Sequence, residues 1–207
     1  MSFSIGTSGL DAALRGRLAG ALDAAPRTEV GDGPWIAGPL LAPTLIRPQG
    51  PDPAVYFEAA ARWRDVLGPL LEETLEPLHV ALAARLGGPV RVPPGHASFT
   101  IRVFPPGTAS PRHTDNYRGI AAYADLRRLT RDGGQISWFV PLAPYEGGAL
   151  EVPERGEPVS PAPGDLVVFD GSRLRHRVAE VEGAAPRLTL GGFAAEAADG
   201  RGFYAWS

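Results

Sequence analysis

At about residue 90 the hydrophobic period of the chain changes, and no other feature restricts the fold as strongly. Before that point apolar residues recur every three to four positions; after it come short β-branched and aromatic runs separated by Gly, Pro and Asp. The first period places apolar side chains on one stripe of a helix, and the second belongs to half-buried strands. The chain is therefore expected to be α+β, a helical layer packed on a double-sheet sandwich or barrel. Its 207 residues suit one sizeable domain. Within it, residues 1–90 are expected to form a mainly helical support layer, 91–195 the β core and 196–207 a C-terminal extension.

Leu10, Leu14, Leu18 and Leu22, opened by Ser8 with Asp11 three positions on, predict a capped helix over 8–24. Residues 27–51 are broken repeatedly by Gly and Pro, and are expected to run over the surface as short extended pieces that cover the core. Asp52 and Pro53 read as an N-cap and first helical position. Tyr56, Ala60, Trp63 and Leu67, then Leu71, Leu75, Leu78, Leu82 and Leu86, carry a helix to Gly87, with a kink expected at Pro77. Strands are expected near 97–104, 135–142, 148–152, 165–170, 175–181 and 186–193. Residues 117–131, "YRGIAAYADLRRLTR", interrupt this series as a partly helical insert of the kind that forms a lid.

Three strands split at period two into an apolar and a mixed face. Phe99, Ile101 and Val103 oppose Thr100, Arg102 and Phe104; Ile136, Trp138 and Val140 oppose Gln135, Ser137 and Phe139; Leu188 and Leu190 oppose Arg187 and Thr189. The mixed faces either line a wet pocket or are the solvated side of an ordinary sheet.

"PRHTD" sets His113 and Asp115 on the same side of an extended segment. With 23 acidic residues and four histidines in the chain, an isolated His-x-Asp is a chance event in about one case in three. A third metal ligand is needed. His79 lies in the leucine-rich helix and reads as a partly exposed, non-catalytic residue; His96 follows "VPPG" and reads as a surface residue. His176 is brought back toward the sheet by the turn within "DLVVFDGSRLRHRVAEV". Arg187 lies eleven positions further on, beside Thr189, and a buried guanidinium there asks for a carboxylate partner. Two imidazoles and one carboxylate form the facial triad typical of non-haem Fe(II) sites, whereas structural zinc takes a closed four-ligand shell. The chain has no cysteine, so thiolate ligands are excluded.

"RVFPPGTASPRHTD", "ISWFVPLAPYEGGALEV", "PAPGDLVVFDGSRLRHRVAEV" and "PRLTLGGF" together resemble the Fe(II)- and 2-oxoglutarate-dependent dioxygenases, closest to their prolyl-hydroxylase-like branch, over about residues 98–193. The resemblance implies a double-stranded β-helix (jelly roll) with supporting helices. It implies Fe(II) on His113, Asp115 and His176, the distal carboxylate of 2-oxoglutarate on Arg187 and Thr189, and O2 as second cosubstrate. Phe104 stands where the family often has tyrosine, so Ser137, Gln135 or Arg102 is expected to supply the missing donor. Related halogenases carry a small residue in place of the ligating carboxylate; with Asp115 present, the implied reaction is hydroxylation with succinate and CO2 as co-products.

Arg102, Asn116, Tyr117 and Arg118, with Tyr123 on the lid, would make a polar mouth for a small polar substrate such as an amino acid or natural-product intermediate; a solvated loop is an equally good reading of "NYRG". Two rivals remain: a cupin-like metalloenzyme (isomerase or dioxygenase) without 2-oxoglutarate, and a non-catalytic jelly-roll binding module. A net charge of −3 without long runs of one sign offers no footprint for nucleic acid or a membrane surface. With neither a signal-type N-terminus nor a long apolar run, the chain reads as soluble and cytoplasmic.

Overall fold

The computed structural model describes residues 3–44, 48–115, 119 and 123–207. It opens with a strand the periodicity does not announce, β1 (Phe3–Thr7), followed by α1 (Ala12–Gly20). The cap of α1 is Asp11, whose Oδ1 accepts from the Leu14 N–H at 2.8 Å. Ser8 is buried, and its hydroxyl donates to the Gly164 carbonyl at 2.7 Å. The helix therefore begins later than the leucine spacing suggests, because Ser8 is held by a distant turn.

Residues 27–51 include the hairpin of β2 (Arg27–Glu29) and β3 (Trp35–Ala37). The expected single helix over 52–87 is two helices, α2 (Pro53–Leu67) and α3 (Pro69–Leu86). They part at Gly68, whose φ of 49° and ψ of −128° suit glycine, and at Pro69, which has no N–H to continue the ladder. Asp52 caps α2 by accepting from the Ala54 N–H at 2.8 Å, and Gly87 ends α3 in the left-handed region, both as the sequence predicts. Tyr56, Ala60, Trp63 and Leu67 are buried, as are Leu78 and Leu82. Each buried leucine contributes about 1.5–3 kcal/mol.

Next come β4 (Val90–Arg91), β5 (Thr100–Phe104), α4 (Ala124–Leu129), β6 (Ile136–Pro141), β7 (Glu146–Gly147) and β8 (Leu150–Glu151). The chain closes with β9 (Asp165–Phe169), β10 (Arg177–Val178), β11 (Val181–Glu182), β12 (Arg187–Glu196) and β13 (Phe203–Trp206). Among the described residues one nine-stranded sheet runs β1-β9-β6-β12-β5-β3-β2, with β13 on β12 and β4 on β13. All its pairs are antiparallel except β13 with β4. The expected strand over 175–181 is two short ones, because β10 pairs with β8 and β11 with β7. The 196–207 segment adds β13 to the large sheet and buries Trp206.

Alternation along the strands feeds two cores. Phe99, Ile101, Trp138, Val140 and Leu190 pack with the helices, while Phe139, Val167 and Phe169 meet Leu150, Val152 and Val159 on the other side. No helix among the described residues is long and apolar enough to cross a membrane.

Candidate metal centre

The mixed strand faces open on one cavity of about 660 Å³. Arg102 and Phe104, Ser137 and Phe139, Arg187 and Thr189 all line it, together with His113, Asp115 and His176. The apolar segment from Val30 to Thr44 supplies an outer wall.

His113 and His176 face each other across an isolated antiparallel bridge, each N–H donating to the other's carbonyl at 2.9 Å. The Asp115 N–H donates to the Gly171 carbonyl at 2.7 Å. These backbone ties bring three side chains from two segments together, with their potential ligand atoms all within 4.8 Å of one another. His113 Nε2 lies 3.5 Å from Asp115 Oδ1, and His176 Nε2 lies 3.4 Å from Asp115 Oδ2. Ligands at right angles around an ion with bonds of about 2.1 Å sit roughly 3 Å apart, so a small contraction would suit the triad to a metal. Each Nδ1 rests against a carbonyl, Pro111 O at 2.8 Å for His113 and Leu174 O at 2.9 Å for His176. An Nδ1–H donating there leaves the Nε2 lone pair for the centre.

Burial alone would raise the pKa of Asp115, but hydrogen bonds from His176 and Ser137 and the charges of both histidines hold it well below the usual carboxylate range. Burial pushes His113 down. Burial also acts to lower His176, but the hydrogen bond and charge of Asp115 outweigh it and the net shift is upward from 6.5. The proton an incoming ion must displace is therefore held on His176, and it stays bound to higher pH than on an unperturbed imidazole. Mn(II) affinity is expected to fall tenfold per pH unit below that pKa. Titrations between about pH 5 and 8 check this, and an affinity flat across that range would contradict it.

The Ser137 hydroxyl donates to Asp115 Oδ2 and so orients a ligand. Gly171 makes this possible by close approach: a Cβ there would lie 1.9 Å from Ser137 Oγ and 2.8 Å from Asp115 Oδ2. Gly171→Ala is expected to displace both and lower Mn(II) affinity about 10- to 100-fold while far-UV circular dichroism is unchanged. Retained affinity would mean that Asp115 tolerates another orientation.

Arg187 is 2% exposed, and its Nε has no hydrogen-bond partner among the described residues. The rings of Phe139, Tyr145 and Phe104 surround its guanidinium at 5.2, 5.3 and 5.9 Å. Burial lowers its pKa, opposed by Tyr145, and no carboxylate among the described residues pairs with it. Gly148, at φ 56°, gives it room, since a Cβ would lie 2.8 Å from Arg187 Cδ. Arg102 lies over the Phe193 ring at 5.3 Å and is near enough to His113, His176 and Arg187 for its charge to lower the pKa of each.

Other expected residues fall elsewhere. Gln135 is buried but does not line the cavity; its Oε1 accepts from Tyr123 Oη at 3.2 Å. Tyr123 is not on a lid: it is 2% exposed, and its hydroxyl also accepts from Trp206 Nε1 at 3.1 Å. His96 is not a surface residue, because α2 packs Phe57 and Tyr56 over its turn, with ring centroids 5.1 and 5.7 Å away. His79 is half-buried on α3, outside the cavity. Asn116, Tyr117 and Arg118 lie outside the described residues. The described part of the insert is anchored away from the cavity, with Leu126 buried and the Ala198 N–H donating to Leu129 O at 2.8 Å. Gly171 and Gly148, which make room for Ser137, Asp115 and Arg187, and the Val30–Thr44 wall of the cavity have no sequence signal beyond a turn in "DGS".

The family model described as carrier-protein-independent halogenase WelO5 matches residues 153–207, a stretch holding His176 and Arg187 but neither His113 nor Asp115. No curated relative matches the chain. Similar solved structures include an oxidoreductase of the 2OG-Fe(II) oxygenase family from Burkholderia pseudomallei, at 15% identity and TM-score 0.55, covering 93% of this chain and 83% of that one. HygX from Streptomyces hygroscopicus, with nickel and 2-oxoglutarate bound, matches at 11% identity and TM-score 0.56, covering 93% and 81%. The viral collagen prolyl hydroxylase vCPH from Paramecium Bursaria Chlorella virus-1, a 2OG complex, matches at 13% identity and TM-score 0.50, covering 93% and 95%. These likenesses show a shared fold of helices on a large antiparallel sheet.

Proposed function

We propose that this chain is an Fe(II)- and 2-oxoglutarate-dependent oxygenase that hydroxylates an unactivated C–H bond of a small molecule. Its large sheet and two small sheets are read as the two sides of a double-stranded β-helix, with residues 1–90, 91–195 and 196–207 acting as one unit. The observation that carries the reading is Arg187, a buried guanidinium with no carboxylate among the described residues beside it, opening on the same cavity as a two-histidine, one-carboxylate cluster. An uncompensated buried cation is costly, and a dicarboxylate cosubstrate supplies the missing charge. HygX, of the same fold, holding a metal and 2-oxoglutarate supports this.

In this reading His113, Asp115 and His176 would hold Fe(II), and as only three protein ligands they would leave room on it for the cosubstrates. When bound, the ion with 2-oxoglutarate and O2 supplies an oxidant for the substrate C–H bond, releasing succinate and CO2. Arg187 grips the distal carboxylate with Thr189 beside it. For the donor absent at Phe104, Ser137 is committed to Asp115 and Gln135 is off the cavity, so Arg102 is assigned to the cosubstrate's other end. Ser137 is thus a positioning residue for a ligand.

The halogenase family match gives the alternative chemistry a specific footing, but it stops short of Asp115. A carboxylate at that position takes the coordination place a chloride would need, which favours hydroxylation. The test is the product: turnover of an accepted substrate in chloride buffer should add oxygen and no chlorine by mass spectrometry, and a chlorinated product would reverse the assignment. The cupin-like and binding-module readings give no role to the buried Arg187.

A further inference from the structure

We infer that the substrate presents an uncharged, apolar ring system to this cavity rather than the zwitterion of a small amino acid; the inference rests on the oxygenase reading above. Space is the first observation. The ten non-hydrogen atoms of 2-oxoglutarate, at no more than the roughly 30 Å³ of a liquid water each, take at most about 300 Å³. About half of the 660 Å³ cavity is left for a substrate.

The second observation is the wall around that remainder. Trp35, Ile36, Leu40, Ala42 and Pro43 line it from the segment between β2 and α2, and Phe193 faces in from β12. Ile36 stands in register with Arg102 across β3 and β5, so the apolar wall meets the floor where the cosubstrate would end. Trp35 is only half-buried, and the Arg27 guanidinium lies 4.5 Å from its ring centroid.

Charge is the third. Beyond the triad, the charged side chains among the described lining residues are Arg187, Arg102 and Asp32. The first two answer the two carboxylates of 2-oxoglutarate, and Asp32 is exposed at the rim. A zwitterion seated against the wall would lose its hydration with no further charged side chain among the described lining residues to answer its ammonium or carboxylate, which is unfavourable. A ring system loses only water from apolar surface, and the Trp35 indole suits stacking. Of the polar pocket mouth expected from the sequence, only Arg102 is among the described residues.

Equilibrium dialysis on Mn(II)- and 2-oxoglutarate-loaded protein separates the possibilities. The probes are 1-tetralone, 2-naphthol and quinoline on one side, and glycine, L-proline and L-glutamate on the other. At least one ring probe should bind and the amino acids should not. Trp35→Ala should weaken ring binding at least tenfold while leaving 2-oxoglutarate affinity unchanged. Pro43→Asp, which places a charge on the same wall without removing a large side chain, should do the same if Trp35→Ala does not fold. Amino acids binding more tightly than every ring probe, or ring binding indifferent to the wall variant, would overturn the inference while the oxygenase reading stands. Failure of 2-oxoglutarate itself to bind in the same samples would overturn the oxygenase reading instead.

Discussion

Arg187→Met is expected to weaken 2-oxoglutarate binding to Mn(II)-loaded protein by roughly thirtyfold to several thousandfold, matching the 2–5 kcal/mol lost when one partner of a buried charge pair is truncated. The same substitution should leave Mn(II) affinity intact, because Arg187 belongs to the cavity floor and not to the His113, Asp115 and His176 cluster. Its effect on the metal-free protein carries the sharper sign. The guanidinium is buried among Phe104, Phe139 and Tyr145 with no carboxylate among the described residues to pair with it, so an apolar side chain of similar length should hold or raise the Tm. A cation kept for the fold would give the opposite result, a lower Tm with little change in cosubstrate affinity. Arg102→Met in the same titration should cost about tenfold, the effect of losing one charge-assisted hydrogen bond. No change would remove Arg102 from the cosubstrate's contacts.

His176→Ala should abolish metal binding, with Mn(II) affinity down at least about a hundredfold, more than the loss of a group that only orients a ligand. His176 contributes the Nε2 that faces Asp115 Oδ2, and its backbone forms the bridge to His113. Because the bridge is made by main-chain groups, alanine should keep it, and the loss should be one of coordination rather than of structure. His79→Ala is the control: it lies on α3 outside the cavity, and Mn(II) binding should match the parent protein. Equal losses from both substitutions would remove the assignment of His176 as a ligand.

The parts of the site that could be read from sequence are those set by local geometry. His113 and Asp115 share a side of an extended segment, His176 follows a strand and a turn that return it to the sheet, and the inward faces of β5, β6 and β12 follow from alternation. What escaped depends on contacts between distant segments. His96 sits in a Pro-Gly turn that looks exposed until Phe57 and Tyr56 of α2 close over it. The strong leucine period running across Gly68 and Pro69 hid a helix break that those two residues themselves dictate. The wall from Val30 to Thr44 has no period to read, being broken by Gly and Pro, yet it decides the polarity of the cavity. Gly171 looked like an ordinary turn residue, and its role appears only once Ser137 and Asp115 stand against it.

Succinate formation is the decisive readout for the oxygenase assignment. Protein loaded anaerobically with Fe(II) and 2-oxoglutarate, then exposed to oxygen together with a panel of ring-bearing and amino-acid primes, should form succinate in step with the 2-oxoglutarate consumed. None should form without Fe(II) or from His176→Ala. Succinate no higher than in the metal-free control, whatever the prime, would contradict the assignment of this cavity to an Fe(II)- and 2-oxoglutarate-dependent oxygenase.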